Sequence, residues 1–437
     1  MSISSLAPES RAAKEASRWP RGLRALRHYN YRLYFVGQTV SMAGTWMQNV
    51  AQGWLVLLLT HSPFALGVVV TLQSAPILLF SLVGGILADR VSKYRLLAVT
   101  QTVMALLALM LALDVTAGTV RIWHIYILAT LLGTTNAMTM PTQQSFLVEM
   151  VGKDDLLNAI ALNSAIVNLA RIIGPAIAGV LIAIVGVALC FYLNALSYLA
   201  VIASLLVMRS GEFRGAGARV RASVRVELAE GLAYVRRTWS ALMIMIMILV
   251  LFFGAFAWTA NVIFPVFARN VLRVGSEGYG VMTSSFGIGS LVAVTLLALT
   301  TRARRWLMLS GMAAAIAISL AFAWSHNYPL TLLLIACLGG ATFCFSTQSN
   351  TILQTVVPDA LRGRVMSVYM MLFVGSQPFG AFVTGALASA FGAPVAVTVD
   401  VLICSVVLAA VLLYDRRLRA TSRGGPNPKV REAPLGA

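Results

Sequence analysis

Acid is scarce in this chain. Its 437 residues hold 15 Asp and Glu against 33 Lys and Arg, and charge of either sign accounts for only 11%. A water-surrounded protein of this length needs far more polar surface to cover its core, so the shortage excludes a soluble globule. Cysteine and histidine number only four each. Cys190, Cys337, Cys344 and Cys404 all sit in apolar runs, which implies no disulfide framework. His28, His61, His124 and His326 lie near the ends of those runs and take no metal-ligand spacing, so no metal site is expected. A phosphate-cradling Gly-x4-Gly-Lys-Ser/Thr segment is missing, which argues against ATP as an energy source. Nothing resembles a catalytic constellation, and the chain does not read as an enzyme. The first 28 residues are basic but lead into no signal-peptide core, so a cytoplasmic tail, partly amphipathic around Trp19 to Leu26, is expected to lie on anionic lipid.

Long apolar runs are what the chain has instead. Hydrophobic residues make up 59%. Twelve stretches reach membrane-crossing length, at about 33–59, 66–88, 96–117, 122–145, 158–183, 186–207, 241–267, 279–300, 305–325, 329–352, 365–388 and 393–414. The longest interruption splits them six and six. The expected organisation is a basic tail (1–28), a six-helix bundle (29–208), a linker (209–240), a second six-helix bundle (241–415) and a second tail (416–437). The fold class is therefore an all-α polytopic membrane protein, twelve transmembrane helices in two six-helix pseudo-repeats.

Charge placement orients it. With the N-terminus inside, both tails and every connection on their side hold all 33 Lys and Arg except Arg121, Arg269, Arg273 and the intrahelical Arg171. The net charge of +18 is thus the positive-inside bias of a membrane protein, and no nucleic-acid partner is needed to explain it. The two halves also echo each other. When Glu149 is laid on Gln354, Val151 meets Val356, Asp154 meets Asp359 and Leu156 meets Leu361, while Gly174-Pro175 and Gly179 echo Gly380 and Gly385. Parallel repeats point to a transporter whose site lies between the halves near the midplane.

Two short segments carry the most specific signals. The turn after the second run reads Gly85-x3-Asp89-Arg90-x2-Lys93-x-Arg95. Gly85 would let helix ends approach, Asp89 would face a helix N-terminus, and Arg90 would reach Glu149 at the end of the fourth run. Together they would form a latch holding one half against the other. The fifth run contains Arg171, then Gly174-Pro175 and Gly179, a combination that kinks a helix and admits a close neighbour. Arg171 itself would pair with Glu149 or hold an anionic substrate.

In these segments the chain resembles the major facilitator superfamily. The turn is similar to the family's signature between its second and third helices, with Ser92 standing where a glycine is usual. The segment Ala170 to Gly179 is similar to its antiporter motif, with Ala170 and Ala178 replacing glycines. The runs Leu26 to Val56 and Leu147 to Gly179 resemble the branch that contains enterobactin exporters and macrolide efflux proteins. The resemblance spans about residues 25 to 415. It implies proton-driven outward movement of a bulky amphipathic molecule, such as a siderophore or drug, by a monomer in a bacterial inner membrane with both termini cytoplasmic. It implies no cofactor beyond the proton gradient.

Polar residues inside apolar runs mark the expected cavity, because such side chains are costly against lipid. On the first run Gln38, Ser41, Thr45, Gln48, Asn49 and Gln52 recur every three or four residues. Asn136, Thr139 and Gln143 on the fourth, Asn168 on the fifth, and Asn261, Thr351 and Gln377 in the second half extend the set. Trp46, Trp54, Trp258 and Phe373 are candidate apolar contacts. Asp400, the deepest acid in the spans, is the candidate proton carrier. Two other functions stay open on sequence grounds: an importer or facilitator of small solutes, and a membrane scaffold or sensor that moves nothing.

Overall fold

The computed structural model describes residues 20–209, 224–254, 260–299 and 303–422, and every regular element among them is a helix. Six helices build the first half: α1 (Tyr29–Thr60), α2 (Pro63–Arg90), α3 (Lys93–Thr116), α4 (Ile122–Val151), α5 (Leu156–Ile184) and α6 (Val187–Val207). A short amphipathic helix follows, α7 (Val224–Arg237). The second half comprises α8 (Trp239–Gly254) and α9 (Ala260–Val266), then α10 (Gly275–Ala298), α11 (Arg305–Ala323), α12 (Tyr328–Val356), α13 (Asp359–Phe391) and α14 (Ala393–Ser422). Both tails beyond these limits, residues 210–223 of the linker, Trp258 and Thr300 to Arg302 lie outside the described residues.

Short turns force consecutive helices to run antiparallel. One end of the bundle, here the distal end, is turned by His61-Ser62, where His61 takes a left-handed φ of 56° and the Ser62 hydroxyl accepts from the Ala65 amide at 3.3 Å. Asn327 caps α12 at the same end, accepting from the Leu330 amide at 3.0 Å. The opposite end carries the linker and nearly all the cations, and is called the basic end. Outward faces are apolar along most helices, as Leu79, Leu106, Leu196, Leu296 and Leu333 show. That is the reverse of a soluble bundle and fits a hydrocarbon surround.

Among the described residues nine helices are long and apolar enough to cross a membrane, or ten if α7 and α8, bent by 108° at their junction, are counted together. α1 and α4 are longer than most of these yet fall below that apolarity. Their Gln, Asn and Thr residues lower it, and those residues turn out to face inward.

The halves meet along two related seams. α2 lies against α13, and α5 lies against α10. Each seam is made possible by facing glycines. A Cβ on Gly385 would come 2.9 Å from the Gly67 Cα, and one on Gly280 would come 2.4 Å from the Pro175 carbonyl oxygen. From the distal end these contacts extend to Leu78 against Gly375 and to Arg171 and Ile172 against Gly287, about midway along each helix. One apolar core joins the halves distally, including Trp54, Leu57 and Leu66 from the first and Phe264, Phe267 and Tyr279 from the second. At its basic end the first half has a core of its own, built from Tyr31, Tyr34, Leu97, Phe146, Met150 and Leu205. The close approaches of the halves at these glycines thus lie in the distal half of each seam.

The expectation for the N-terminal tail changes, and the linker contains a helix. The described end of the N-terminal tail is held by protein. Arg21–Arg27 forms a 3-10 turn whose Ala25 amide donates to Asn158 Oδ1 at 2.8 Å, while the Asn158 amide donates to the Gly22 carbonyl at 2.8 Å. Asp155, 1% exposed, receives Arg24 Nε at 3.0 Å, Arg27 Nη2 at 2.8 Å and His28 Nε2 at 2.8 Å. The linker, for its part, is not all loop. α7 packs on the start of α13, with Glu230 paired to Arg364 and Gly231 against the Arg364 backbone. Its alternating polar and apolar residues suit a helix lying along a surface.

Candidate functional site

The inward faces of the first half enclose a cavity of about 300 Å³. α1 supplies its longest wall: Gln38, Ser41, Thr45, Gln48, Asn49 and Gln52 all line it, as their three-and-four spacing requires. α4 adds Asn136, Thr139 and Gln143, and the second half contributes Asn261 and Gln377. Nine of the eleven cavity residues expected from sequence are therefore brought together. Asn168 and Thr351 are not. The Asn168 amide donates to the Ser164 carbonyl at 2.9 Å and the Thr351 hydroxyl to the Thr347 carbonyl at 2.9 Å, each within its own helix.

Several lining residues escaped the sequence reading. Gln73 and Ser74 on α2, Gln101 on α3, and Asn194 and Tyr198 on α6 complete the wall. Each is a polar group within a predominantly apolar run, a signal that was available. The Asn194 amide donates to Gln48 Oε1 at 2.6 Å, and Ser197 donates to Asn194 Oδ1 at 3.0 Å. That chain of bonds pins α6 to α1 and holds Gln48 in place. Gln52 and Gln73 approach to 3.5 Å in the same manner. The lining is otherwise neutral: eleven carboxamides and several hydroxyls, with Met42, Met104, Met140 and Trp46 as its larger apolar groups, and no charged side chain among the described residues.

The distal floor is sealed. Trp54 stacks on Tyr279 with ring centroids 6.2 Å apart, and both are buried. Arg269 donates to the Leu57 carbonyl, tying the distal end of α1 to the second half. Toward the basic end the lining reaches Gln101 and Gln143, about two turns short of the helix termini.

The charged turn between α2 and α3 behaves differently from the expectation. Glu149 receives Lys93, not Arg90: Lys93 Nζ lies 2.7 Å from Glu149 Oε1, and both side chains are largely covered. Asp89, Arg90 and Arg95 are exposed. Lys93 begins α3 and Glu149 nearly ends α4, so the pair closes the first half on itself. Both α2, which Arg90 ends, and α3, which Lys93 opens, pack against α4, but Arg90 is exposed whereas Lys93 is turned toward Glu149. The glycine seen to admit a close neighbour is Gly84, whose added Cβ would meet the Ala137 carbonyl oxygen at 2.3 Å; Gly85 is half-buried beside it. Ser92 needs no glycine, because its φ of −54° is open to any residue. In the second half the corresponding turn uses the Arg304 amide, which donates to Gln348 Oε1 at 2.9 Å, and Arg305, which pairs with Asp415 at 2.7 Å.

Arg171 lies about four turns into α5, more than 20 Å of helix from the basic end where Glu149 sits, so the two cannot pair. Its guanidinium instead rests over Trp46 at 5.2 Å and over Phe343 of α12 at 4.9 Å. Gly174 makes this possible: α5 presses so close to α1 that an added Cβ would meet Trp46 Cβ at 2.7 Å. Pro175 and Gly179 continue the helix along α10, where Ser276 donates to the Gly179 carbonyl at 3.3 Å. Asp400 sits two turns into α14 from the distal end, 2% exposed, accepting from the Thr384 hydroxyl at 3.2 Å. It lies between α13 and α14 and does not line the cavity.

Comparison with known proteins agrees with this geometry. The family described as transmembrane secretion effector matches residues 21–433. A staphyloferrin A transporter of Staphylococcus aureus is 27% identical over 83% of this chain and 90% of its own length. The multidrug efflux pump Tap of Mycolicibacterium fortuitum is 27% identical over 80% and 87%. The enterobactin exporter EntS of Escherichia coli is 25% identical over 90% and 94%. Among solved structures, a bacterial homologue of the lysosomal transporter Spinster, inward-facing and occupied, superposes with a TM-score of 0.71 over 89% of this chain and 97% of that one, at 14% identity. The nucleoside transporter NupG does so with a TM-score of 0.71 over 88% and 98%, at 12% identity.

Proposed function

The chain belongs to the transmembrane secretion effector family of major facilitator transporters, and from that premise we propose that it exports an amphipathic small molecule by alternating access in exchange for protons. The observation that carries the reading is a neutral, amide-rich cavity lined by both halves and closed distally by Trp54, Tyr279 and the glycine seams. A solute entering from the basic end would leave at the distal end once the seams opened and the basic ends met. The cation distribution supports a cytoplasmic basic end. Entry from the cytoplasm and exit outside is export, and the names of the siderophore and multidrug relatives support a cargo of that kind. At about 300 Å³ the cavity lies at the low end of ligand sites, so a siderophore-sized cargo requires the halves to part further.

Proton exchange needs an acid that changes its charge during the cycle. Asp400 is our assignment, because it is buried in the second half with one hydroxyl donor and no cation beside it among the described residues. Since it stands outside the cavity, it would couple through α13 and α14 rather than by touching cargo. The test is flux in proteoliposomes under an imposed pH gradient, comparing the parent with Asp400→Asn. The parent should respond to the gradient and the variant should not; equal responses would remove Asp400 from the mechanism.

A further inference from the structure

Arg171 is placed as no packing residue needs to be. Its guanidinium is held between two aromatic rings that belong to different halves, Trp46 of α1 and Phe343 of α12. One of its nitrogens, Nη1, is buried without a hydrogen-bond partner, and no acid among the described residues pairs with it. Glu149 is engaged by Lys93 at the basic end, and Asp400 is in the second half near the distal end. The two rings stabilise the cation through their faces, but a buried donor left without an acceptor is costly, and among the described residues no oxygen accepts from Nη1.

Its surroundings say what would. Trp46 is shared, since it lines the cavity and also contacts the guanidinium. The cavity itself carries no charge, so it offers no counter-ion to a cationic ligand and nothing that competes with Arg171 for an anionic one. Arg171 and Phe343 stand behind Trp46 and do not line the cavity themselves; Phe343 lies across the seam at the level of Arg171, and a flat group displacing it could reach the guanidinium. Oxyanions match the planar fork of arginine through paired hydrogen bonds.

We propose that Arg171 anchors an oxyanion on the cargo, and that the cargo carries this group next to an aromatic or flat apolar ring that packs against Trp46. This rests on the exporter reading above and narrows its substrate class to anionic amphiphiles.

The test uses the full-length protein in phosphatidylcholine nanodiscs, titrated calorimetrically with three probes of one shape: 2-naphthoate, 2-naphthamide and 2-naphthylmethylammonium. The parent should bind the carboxylate about tenfold more tightly than the amide, as a hydrogen bond to a charged partner warrants, and the ammonium most weakly. Arg171→Gln should bring carboxylate and amide together, whereas Arg171→Lys should keep their order with a smaller ratio. Trp46→Leu should preserve the charge preference while weakening every naphthyl ligand, because the ring packs on Trp46. A purely structural Arg171 would not distinguish acid from amide. Equal affinities in the parent, a preference that survives Arg171→Gln, or a parent that binds no naphthoate would each overturn the proposal. Flux in proteoliposomes separates the two readings. Preferential naphthoate binding without flux of any probe would leave the Arg171 site standing and sink the exporter; equal flux of acid and amide would do the opposite.

Discussion

Lys93 Nζ meets Glu149 Oε1 at 2.7 Å, and this ion pair joins the start of α3 to the end of α4 within one half. The charged turn therefore braces the first half's basic end. It keeps that end rigid whether or not the second half approaches it.

If so, Lys93→Gln or Glu149→Gln should each lower stability by about 1–2 kcal/mol, since the pair is largely covered and charge-assisted. The exchanged double variant, Lys93→Glu with Glu149→Lys, should recover most of the loss. Thermal unfolding of the purified protein measures both, and Arg90→Gln, at an exposed position, should leave the midpoint within experimental scatter.

The glycine seams should set which end is closed. A side chain at Gly280 has no room beside the Pro175 carbonyl, so Gly280→Val should push α5 and α10 apart. Spin labels at the exposed distal positions 184 and 277, in a cysteine-depleted background, should report a longer and broader distance than in the parent. Gly363→Ala, where nothing lies within 4 Å, is the control and should change nothing.

Gln48 has two duties, lining the cavity and accepting from Asn194. Gln48→Leu should strand the Asn194 amide, which is 0% exposed, at a cost of about 1–3 kcal/mol. Flux should fall along with stability. Thr351→Val, outside the cavity, should lower neither, and a flux deficit there would show that the cavity is drawn in the wrong place.

Asp155 is the hub of the N-terminal clamp. With three basic groups on one carboxylate that is 1% exposed, Asp155→Ala should cost about 2–3 kcal/mol, tempered by the exposure of Arg24. Limited proteolysis should then cut the segment before Tyr29 faster than in the parent. Unchanged cleavage would mean that Asn158 and the Ala25 contacts hold the segment unaided.

Much of this was legible in the chain because lipid imposes a simple rule. A polar side chain in an apolar run must face something other than hydrocarbon, so the Gln38 to Gln52 stripe identified a cavity wall from spacing alone. Asn168 and Thr351 obey the same rule differently. Their polar atoms are satisfied by carbonyls one turn back, which no spacing distinguishes from a cavity role. Lone residues such as Gln73, Gln101 and Asn194 form no stripe, and only the packing of α2, α3 and α6 around α1 gathers them.

By itself, the sequence determined the membrane class, the six-and-six division, the side on which cations gather and the residues that could not face lipid. These follow from composition and helical period, which are local properties. Which carboxylate meets which cation was decided by tertiary structure alone. Glu149 was expected to find Arg90 and found Lys93, because an ion pair depends on the angle and register between helices, and Arg90 and Lys93 stand on different helices, one on each side of the turn. The same holds for Arg171. Its chain neighbours place it on a helix, but only the approach of α1 at Gly174 and of α12 across the seam sets it between two rings with a donor left open.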